Sequence, residues 1–594
     1  MYIPFGSMFP RSGWAYLGLL IVFASTGCSR PESRRANVLL VVFDDLNDSV
    51  EGMGGHPQAR TPNIDRLMER GVQFTNAHSN APIYAPSRAS LFSGIYSHNS
   101  GIIGFRRLGT SDLLKNSATL FEHFKNNGYE VFGTGKLFHY HQEFAHIWEN
   151  ADGTSNYGPL TDYGPFPNNG EKANMEVVHP SLKFIEKLIP DHEAKLWTAR
   201  GEHSFAPLSD VPDEPQYPGW HGWQSFGERQ EYRSETDRDP MPDERYSRWA
   251  ADMLQKPHSR PFILGVGYMR PHTPLYVPQE YFDLFPLEDI QLPPYKEDDL
   301  DDCQEFVHLI LQYGFERHEL YRKADLWKRF IQAYLAAVAF ADAQVGVLLE
   351  ALDKGPHRDN TLIILTSDHG FHMGEKRYNF KLTNWEESTR VPFIVVPPGG
   401  RKSRAACNHP ISLVDVYPTL VDYCGLPSNP NLGKSGHALD GHSVRPFVEN
   451  PAAGKWDGPD VALIAVYGEK KEEGGEYHNF SVRGERWRYT LYENGAEELY
   501  DHRNDPNEWT NLAGAPEHAN ARAELKRTLL NIWDGSSPAC PTPELPVSGE
   551  LVRPILPITP AGCMNRARNP AMKRSDARRL GAAAGNDSGS GVVA

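Results

Sequence analysis

Residues 38–45, VLLVVFDD, decide the fold that we expect for this chain. An unbroken apolar run of this length predicts a strand that is buried on both faces, as strands of parallel sheets are. The run ends in two aspartates, and functional groups of open α/β sheets gather at the carboxyl ends of strands. We therefore expect a parallel sheet with its chemistry beginning at Asp44 and Asp45.

The same pattern returns along the chain. Further buried strands are predicted at 129–133, 262–266, 362–365 and 393–396. Helices are predicted between them, at 61–71 with Thr61 as N-cap, around 120–128, and over 326–353. Strands that alternate with helices indicate an α/β fold, in which helices cover both faces of a large, mostly parallel sheet.

Three regions do not follow this alternation of strands and helices. Residues 145–245 are rich in Gly, Pro, Asn, Asp and Trp, which predicts a long insertion or lid within a domain spanning 36–455. Short strands at 462–466, 480–483, 487–492 and 498–501 predict a smaller antiparallel subdomain over 456–535. The composition of 564–594 predicts a disordered tail.

Composition excludes several classes of protein. Of 594 residues, 40% are apolar and 23% charged, which excludes a fully disordered, collagen-like or polytopic membrane chain. The formal net charge of −16 argues against a nucleic-acid partner. Such a chain can still hold an anion, but only in a local pocket of cationic groups or metal.

The N-terminus predicts export. Arg11 precedes an apolar run over 14–24, which is too short for a comfortable membrane span and is typical of a signal peptide ending near residue 28. Gly27-Cys28 resembles a bacterial lipoprotein cleavage site, although Ser25 departs from it. Two outcomes stay open: a lipidated Cys28 that anchors the protein to a membrane, or plain secretion. Cys540 and Cys563 are the expected disulfide.

A second pair of polar residues, Asp368-His369, follows the strand at 362–365. If both pairs meet, three carboxylates would repel one another unless a cation lies between them. Carboxylate oxygens suit calcium or magnesium. His369 is not a usual calcium ligand, so it either completes the site or donates a hydrogen bond to a bound anion. The alternative for each pair is a cap or turn without function.

Residues 84–94, YAPSRASLFSG, form a third segment with candidate functional residues. Pro86 and Ser87 suit the first turn of a helix, whose free amides favour an anion, and Arg88 adds a forked cation. The segment resembles the sulfatase signature. Further blocks in the family's order are found at 37–45 with 61–67, 133–139, 270–274, 366–370, 379–381 and 498–508. The resemblance covers about residues 36–515.

The resemblance implies an alkaline-phosphatase-like fold and a role for each site residue. Asp44, Asp45, Asp368 and His369 correspond to the ligands of one Ca²⁺ per chain. Lys136, His272 and Lys381 correspond to residues that hold sulfate oxygens, Arg88 to one that steadies residue 84, and His139 to one that handles a proton. His369, where Asn is commoner, points to the iduronate-2-sulfatase branch. The implied activity is hydrolysis of sulfate esters on carbohydrate, and Tyr217, Trp220 and Trp223 either stack on sugar rings or pack inside the lid.

Tyr84 is the main departure from the family. Sulfatases carry Cys or Ser there, which is oxidised to formylglycine, and one hydroxyl of the aldehyde hydrate attacks sulfur while the other expels sulfate. A phenol has one oxygen and cannot perform the second step. Three interpretations remain open: a hydrolase using Tyr84 or water as nucleophile, a sulfated-glycan-binding protein without turnover, and a phosphoester hydrolase of the same superfamily.

Overall fold

The computed structural model of the chain describes residues 35–104, 106–139, 145–150, 152–162, 205–210, 221–225, 228–431, 436–453, 455–469 and 476–533. The signal segment with Cys28, the aromatic residues Tyr217 and Trp220, the Cys540–Cys563 pair and the tail lie outside these residues. The expectations about them stay predictions. Within the described residues Cys303, Cys407 and Cys424 are free thiols.

A large sheet forms the centre of the molecule. Its strands are β1 (Asn37–Phe43), β2 (Val72–Phe74), β3 (Glu130–Gly135), β4 (Tyr157–Leu160), β5 (Phe262–Gly267), β6 (Thr361–Ser367), β7 (Phe393–Val396) and β8 (Ala405–Cys407). They lie in the order β8-β2-β7-β6-β1-β5-β3-β4, and β7 alone among them runs antiparallel to its neighbours. The predicted mostly parallel sheet is confirmed, and β1 lies near its middle.

Helices cover both faces of this sheet. The longer helices are α1 (Pro62–Arg70), α2 (Tyr84–Ser93), α3 (Leu120–Asn126), α4 (Pro242–Gln255), α5 (Gln312–Lys323), α6 (Trp327–Lys354), α7 (Val416–Cys424) and α8 (Ala519–Ile532). Alternate residues of β1 enter different cores: Leu39 packs with α1, α4 and α6, whereas Leu40 packs with α2, α3 and α7. This two-sided burial is the reason why β1 is apolar throughout. Helix α6 is long and apolar enough to span a membrane, but most of its apolar stretch is buried in the core.

The start of α1 differs from the prediction. Thr61 precedes the helix as expected, but its hydroxyl accepts a hydrogen bond from the Glu51 N–H at 2.8 Å and caps nothing. The buried carboxylate of Asp342 on α6 accepts the N–H groups of Asn63 and Ile64 instead, at 3.1 and 2.8 Å. A distant carboxylate thus does what a local N-cap was expected to do, because free amides at a helix start attract negative charge.

One part of the predicted insertion at 145–245 belongs to the main sheet. Tyr157–Leu160 pairs with β3 in parallel and forms an edge strand of the main sheet. Pro159 argued against a strand here in the sequence. An edge strand tolerates proline, however, because one side of it needs no ladder hydrogen bonds. Phe205 and Leu208 also lie in the main core.

The predicted C-terminal antiparallel sheet is confirmed. Its strands are β9 (Ala462–Glu469), β10 (Glu476–Arg483), β11 (Trp487–Leu491) and β12 (Glu497–Asp501), paired in chain order. Arg488 on β11 joins this sheet to the loop after Lys381. The fully buried guanidinium contacts the carboxylates of Glu386 and Glu508 and donates to the Asn384 carbonyl at 2.6 Å. The small sheet therefore supports the segment that carries Lys381.

Candidate active site

Strand register brings the two predicted acidic pairs together. β1 and β6 are parallel neighbours, and Phe43 lies opposite Ser367. The residues that follow both strands therefore emerge side by side at one edge of the sheet. The Asp45 N–H contacts the Asp368 carboxylate at 3.4 Å, and Asp45 itself adopts a left-handed backbone conformation, with φ of 69°.

The cluster offers the atoms that a cation needs. Ligand atoms of Asp44, Asp368 and His369 all lie within 4.8 Å of one another, and all three residues are fully buried. His369 Nε2 is 3.5 Å from Asp368 Oδ1 and 4.0 Å from Asp44 Oδ1. Among the residues that the structure describes, Asp44 Oδ1 and His369 Nε2 have no hydrogen-bond partner. Unpaired buried acceptors at such distances fit a divalent cation.

His369 presents a lone pair to this cluster. Its Nδ1 lies 3.0 Å from the Gly370 carbonyl and donates to it, which leaves Nε2 unprotonated. Burial lowers the pKa of His369 to about 4, although Asp368 opposes the shift, so the ring is neutral near pH 7. Of the two expectations for His369, the geometry favours a ligand over a hydrogen-bond donor to an anion.

Lys136 and Lys381, which we expected to hold sulfate oxygens, pair with the aspartates. Lys136 Nζ contacts the Asp44 carboxylate, and Lys381 Nζ lies 2.7 Å from Asp45 Oδ1. Burial raises the pKa of Asp44, but Lys136 and its cationic neighbours outweigh burial and hold that pKa well below its usual range. Burial raises the pKa of Asp45 to about 7 despite Lys381. Each of the two ammonium groups therefore lies directly against one aspartate of the pair that follows β1.

Arg88 ties the strand ends together. The side chain is 1% exposed, and its Nε lies 2.8 Å from Asp368 Oδ2. Its Nη atoms donate to the main-chain carbonyls of Phe43, Lys136 and Leu137. These bonds bridge the ends of β1, β3 and β6. We expected Arg88 to steady residue 84, whereas these contacts make it a positioning residue for the acidic cluster.

The ring of Tyr84 lies among the residues expected to hold sulfate or to handle a proton, which we call the sulfate cradle: Lys136, His139, His272 and Lys381. It stacks on His139 with ring centres 4.5 Å apart and meets His272 edge-on at 6.5 Å. Lys136 Nζ is 4.8 Å from the ring centre and Lys381 Nζ is 5.0 Å from it. Four predicted site residues from distant parts of the chain therefore surround the first residue of α2.

Both histidines are held as neutral rings. Burial lowers the pKa of His139 well below its ordinary value, and Lys136 adds to this effect. Burial and Lys381 do the same for His272. The Nδ1 of His272 donates to the Thr273 carbonyl at 2.6 Å, so its Nε2, which is 3.8 Å from Asp45 Oδ2, carries the lone pair. Each ring is therefore neutral near pH 7 and has one nitrogen without a proton.

Sequence comparison assigns the family. The profile of the sulfatase family matches residues 36–426, about two thirds of the chain. This chain belongs to the sulfatase family. A profile of the C-terminal part of N-sulphoglucosamine sulphohydrolase matches residues 374–534, which include the antiparallel sheet of this sulfatase.

Individual relatives agree with this assignment. A sulfatase from Formosa agariphila is 32% identical over 523 residues, covering 85% of this chain and 89% of that protein. The iduronate 2-sulfatase of Mus musculus is 28% identical over 446 residues, covering 66% of this chain and 69% of the mouse protein. Members of the family are sulfuric ester hydrolases.

Solved structures share the fold. A structure of BT4656 in complex with its substrate D-glucosamine-2-N,6-O-disulfate has a TM-score of 0.58 and 18% identity, covering 85% of this sulfatase and 99% of that chain. A phosphonate monoester hydrolase of Agrobacterium radiobacter has a TM-score of 0.58 and 21% identity, covering 84% and 96%. The predicted architecture of this sulfatase is confirmed.

Sequence reasoning missed the residues that hold these loops in place. Asp243 on α4 accepts the N–H groups of Met269 and Arg270, each at 2.9 Å, and so positions the segment of His272. Tyr334 on α6 donates to the Asp45 carbonyl at 2.6 Å. In the sequence Asp243 looks like an ordinary acidic residue of a first helical turn, and Tyr334 like one of many core residues.

Proposed function

We propose that this sulfatase hydrolyses sulfate esters of carbohydrates, with calcium in its acidic cluster, and that it is iduronate-2-sulfatase-like. One observation carries the proposal: the acidic cluster, two lysines and two neutral histidines converge on residue 84. A site with cation ligands beside lysine ammonium groups suits an ester with a tetrahedral, negatively charged head. His369 in the cluster and the mammalian relative support the branch.

The metal ligands in this proposal are Asp44, Asp45, Asp368 and His369. A bound calcium would supply positive charge to a sulfate oxygen, which lowers the cost of charge that develops during reaction. Lys136 and Lys381 would then exchange their aspartate contacts for the remaining oxygens. Arg88 keeps the ends of three strands in register and so preserves the spacing of these groups.

Hydrolysis here requires an external nucleophile. In the balanced reaction, water attacks sulfur, the S–O bond to the sugar breaks, and alcohol and hydrogen sulfate leave. His139 or His272, whose rings burial keeps neutral, would take up the proton that water loses and pass it to the departing alcohol oxygen. This route avoids the formylglycine steps that Tyr84 cannot perform.

A second candidate function is binding of sulfated carbohydrate without turnover. The position of the Tyr84 ring favours it, because the ring lies about 5 Å from both lysine ammonium groups and occupies space beside them. Both lysines already contact aspartate carboxylates, Lys136 that of Asp44 and Lys381 that of Asp45. In this case the cradle would recognise sulfate after Tyr84 rotates, and no bond would break.

The test combines metal binding with a substrate panel. We expect purified protein to bind calcium in titration calorimetry, and Asp368→Asn to weaken that binding about 100-fold or more. Asp353→Asn, which changes a partly exposed carboxylate on α6, is the matched control. Sulfate release from sulfated saccharides would be followed by ion chromatography, with phosphate monoesters assayed in parallel.

The outcomes separate the candidates. Released sulfate supports hydrolysis, and saccharide binding without release supports the second candidate. Turnover of phosphate esters alone would instead favour a phosphoester hydrolase, a class whose phosphonate-cleaving relative shares the fold. Calcium binding that is unchanged in Asp368→Asn removes the metal assignment.

We also propose export, on the basis of the apolar run at 14–24 and the Cys28 motif. Periplasmic, membrane-anchored and secreted forms differ in what happens to Cys28. Labelling of the expressed protein with a radioactive fatty acid, compared with Cys28→Ser, distinguishes lipidation from plain secretion. The division into a catalytic domain over 36–455 and a subdomain over 456–535 is likewise part of the proposal.

A further inference from the structure

A buried arginine beside the candidate active site has no role in the functions described so far. Arg317 on α5 is 2% exposed. Its Nε donates to the Tyr321 hydroxyl at 3.1 Å, but in the described part of the chain its Nη2 has no partner. Arginine stays charged in proteins, and a buried charge without a counter-ion is costly. The Nη2 group of Arg317 therefore lacks a hydrogen-bond acceptor among the described side chains around it.

The surroundings of Arg317 offset only part of this cost. The guanidinium carbon lies 5.5 Å from the ring centre of Tyr321, 5.6 Å from Phe330 and 5.8 Å from Phe371. Such cation–π contacts stabilise the charge only modestly. Ring faces stabilise the charge but accept no conventional hydrogen bond from the outer N–H groups. These groups remain available for a negatively charged acceptor.

Two aromatic rings, Phe371 and Phe380, connect Arg317 with Lys381. Phe371 comes two residues after His369, and its ring is 6.2 Å from Phe380, whose ring is 5.8 Å from Lys381 Nζ. Burial lowers the pKa of Arg317, but Tyr321, Tyr313 and Asp45 together raise it. Asp45 therefore acts on Arg317 through space, while its own side chain is engaged by Lys381.

Two partly exposed aromatic side chains lie close to this arginine and to Lys381. Tyr313 lies four residues before Arg317 on α5, so both point from one face of the helix. The Tyr313 ring meets Phe380 at 4.8 Å, and both rings are partly exposed. Tyr313 and Phe380 thus form a partly exposed rim next to Lys381, and Arg317 lies on the same face of α5 as Tyr313.

We propose that Arg317 binds a second anionic group of the carbohydrate, a carboxylate or a further sulfate, while the first sulfate occupies the Lys136–Lys381 cradle. This inference rests on the proposed function. The second anion passes the rim of Tyr313 and Phe380. The guanidinium fork matches two oxygens of a carboxylate or sulfate, and burial strengthens such a pair.

Binding calorimetry tests this without requiring turnover. The probes are a uronic acid 2-sulfate, its 6-carboxamide, and a hexose 2,6-disulfate with the matching 2-monosulfate. We expect the parent to bind at least one dianionic probe about tenfold or more tighter than its monoanionic counterpart. Arg317→Met should abolish this preference and leave affinity for the monoanionic probes unchanged. A preference within the uronic acid pair indicates that Arg317 binds a carboxylate. A preference within the hexose pair indicates that it binds a further sulfate.

Two further variants make the result decisive. Arg317→Lys keeps the charge and should retain part of the preference, even if Arg317→Met folds poorly. Arg322→Met removes a partly exposed arginine of the same helix and should change nothing. A preference that survives in a folded Arg317→Met, or equal binding of both members of each pair by the parent, overturns the Arg317 site alone. Binding of no probe by the parent overturns the proposed function with it.

Discussion

At the residue scale, Tyr84 decides what the site can do. Its ring touches a histidine face and lies near two ammonium groups, so it fills space where the family has a small, oxidised side chain. The acidic cluster and Arg88 do not depend on that ring, because their contacts run to strand ends and to one another. We therefore expect the acidic cluster and Arg88 to keep their positions when residue 84 is replaced.

This separation predicts a gain of activity. Tyr84→Cys, co-expressed with a formylglycine-generating enzyme, should raise sulfate release at least about 100-fold, because nucleophile and expelling hydroxyl are then both present. Sulfate release from an aryl sulfate and from a sulfated saccharide measures the change. Tyr84→Ala, produced in the same way, is the control that opens the space without supplying a nucleophile. A parent protein that already matches the converted Tyr84→Cys variant would contradict the prediction.

At the element scale, α1 begins where a carboxylate of α6 reaches it. Asp342 is buried and accepts two main-chain N–H groups and the Asn63 amide. Burial raises its pKa to about 6, which these hydrogen bonds oppose. The contact joins two helices on the same face of the sheet as well as capping one of them.

Asp342→Ala should therefore destabilise the protein by about 2–3 kcal/mol, since it leaves helix-start N–H groups buried without an acceptor. The free energy of unfolding in urea measures this loss. Asp353→Ala on the same helix removes only partly exposed ion pairs with Arg66 and Arg70, and should cost less than about 1 kcal/mol. Equal losses in the two variants would show that the cap contributes nothing.

At the scale of the whole molecule, a buried ionic network joins the C-terminal sheet to the loop behind Lys381. Glu508 accepts from Arg488 Nε at 2.5 Å, and its other oxygen accepts the Glu386 N–H at 2.9 Å. Burial raises the pKa of Glu508, but Arg488 and His502 outweigh it and lower that pKa to about 2. The charged form of Glu508 is thus the one that stabilises the fold.

A depressed folded pKa fixes the sign of the pH effect. The stabilisation is fully present above about pH 4.5, the unfolded value, and is lost as the pH falls toward 2. The shift corresponds to about 3 kcal/mol. Glu508→Gln should lower the unfolding free energy at pH 7 and flatten its decline between pH 5 and 3, as measured by urea unfolding. Glu517→Gln, at an exposed position, should follow the parent curve. A Glu508→Gln curve parallel to the parent would refute this.

Sequence alone determined the sheet, the acidic pairs and the order of the site blocks. An unbroken apolar run such as 38–43 by itself predicts a buried strand. Polar residues directly after such strands are then expected at the carboxyl edge of the sheet. The resemblance then placed Lys136, His272 and Lys381 at one anion site. Only tertiary structure decided how these charges pair, because register and packing choose among many possible partners. Asp342, Arg317 and Arg488 gain their roles from groups far away in the chain, and local sequence holds no signal for such contacts.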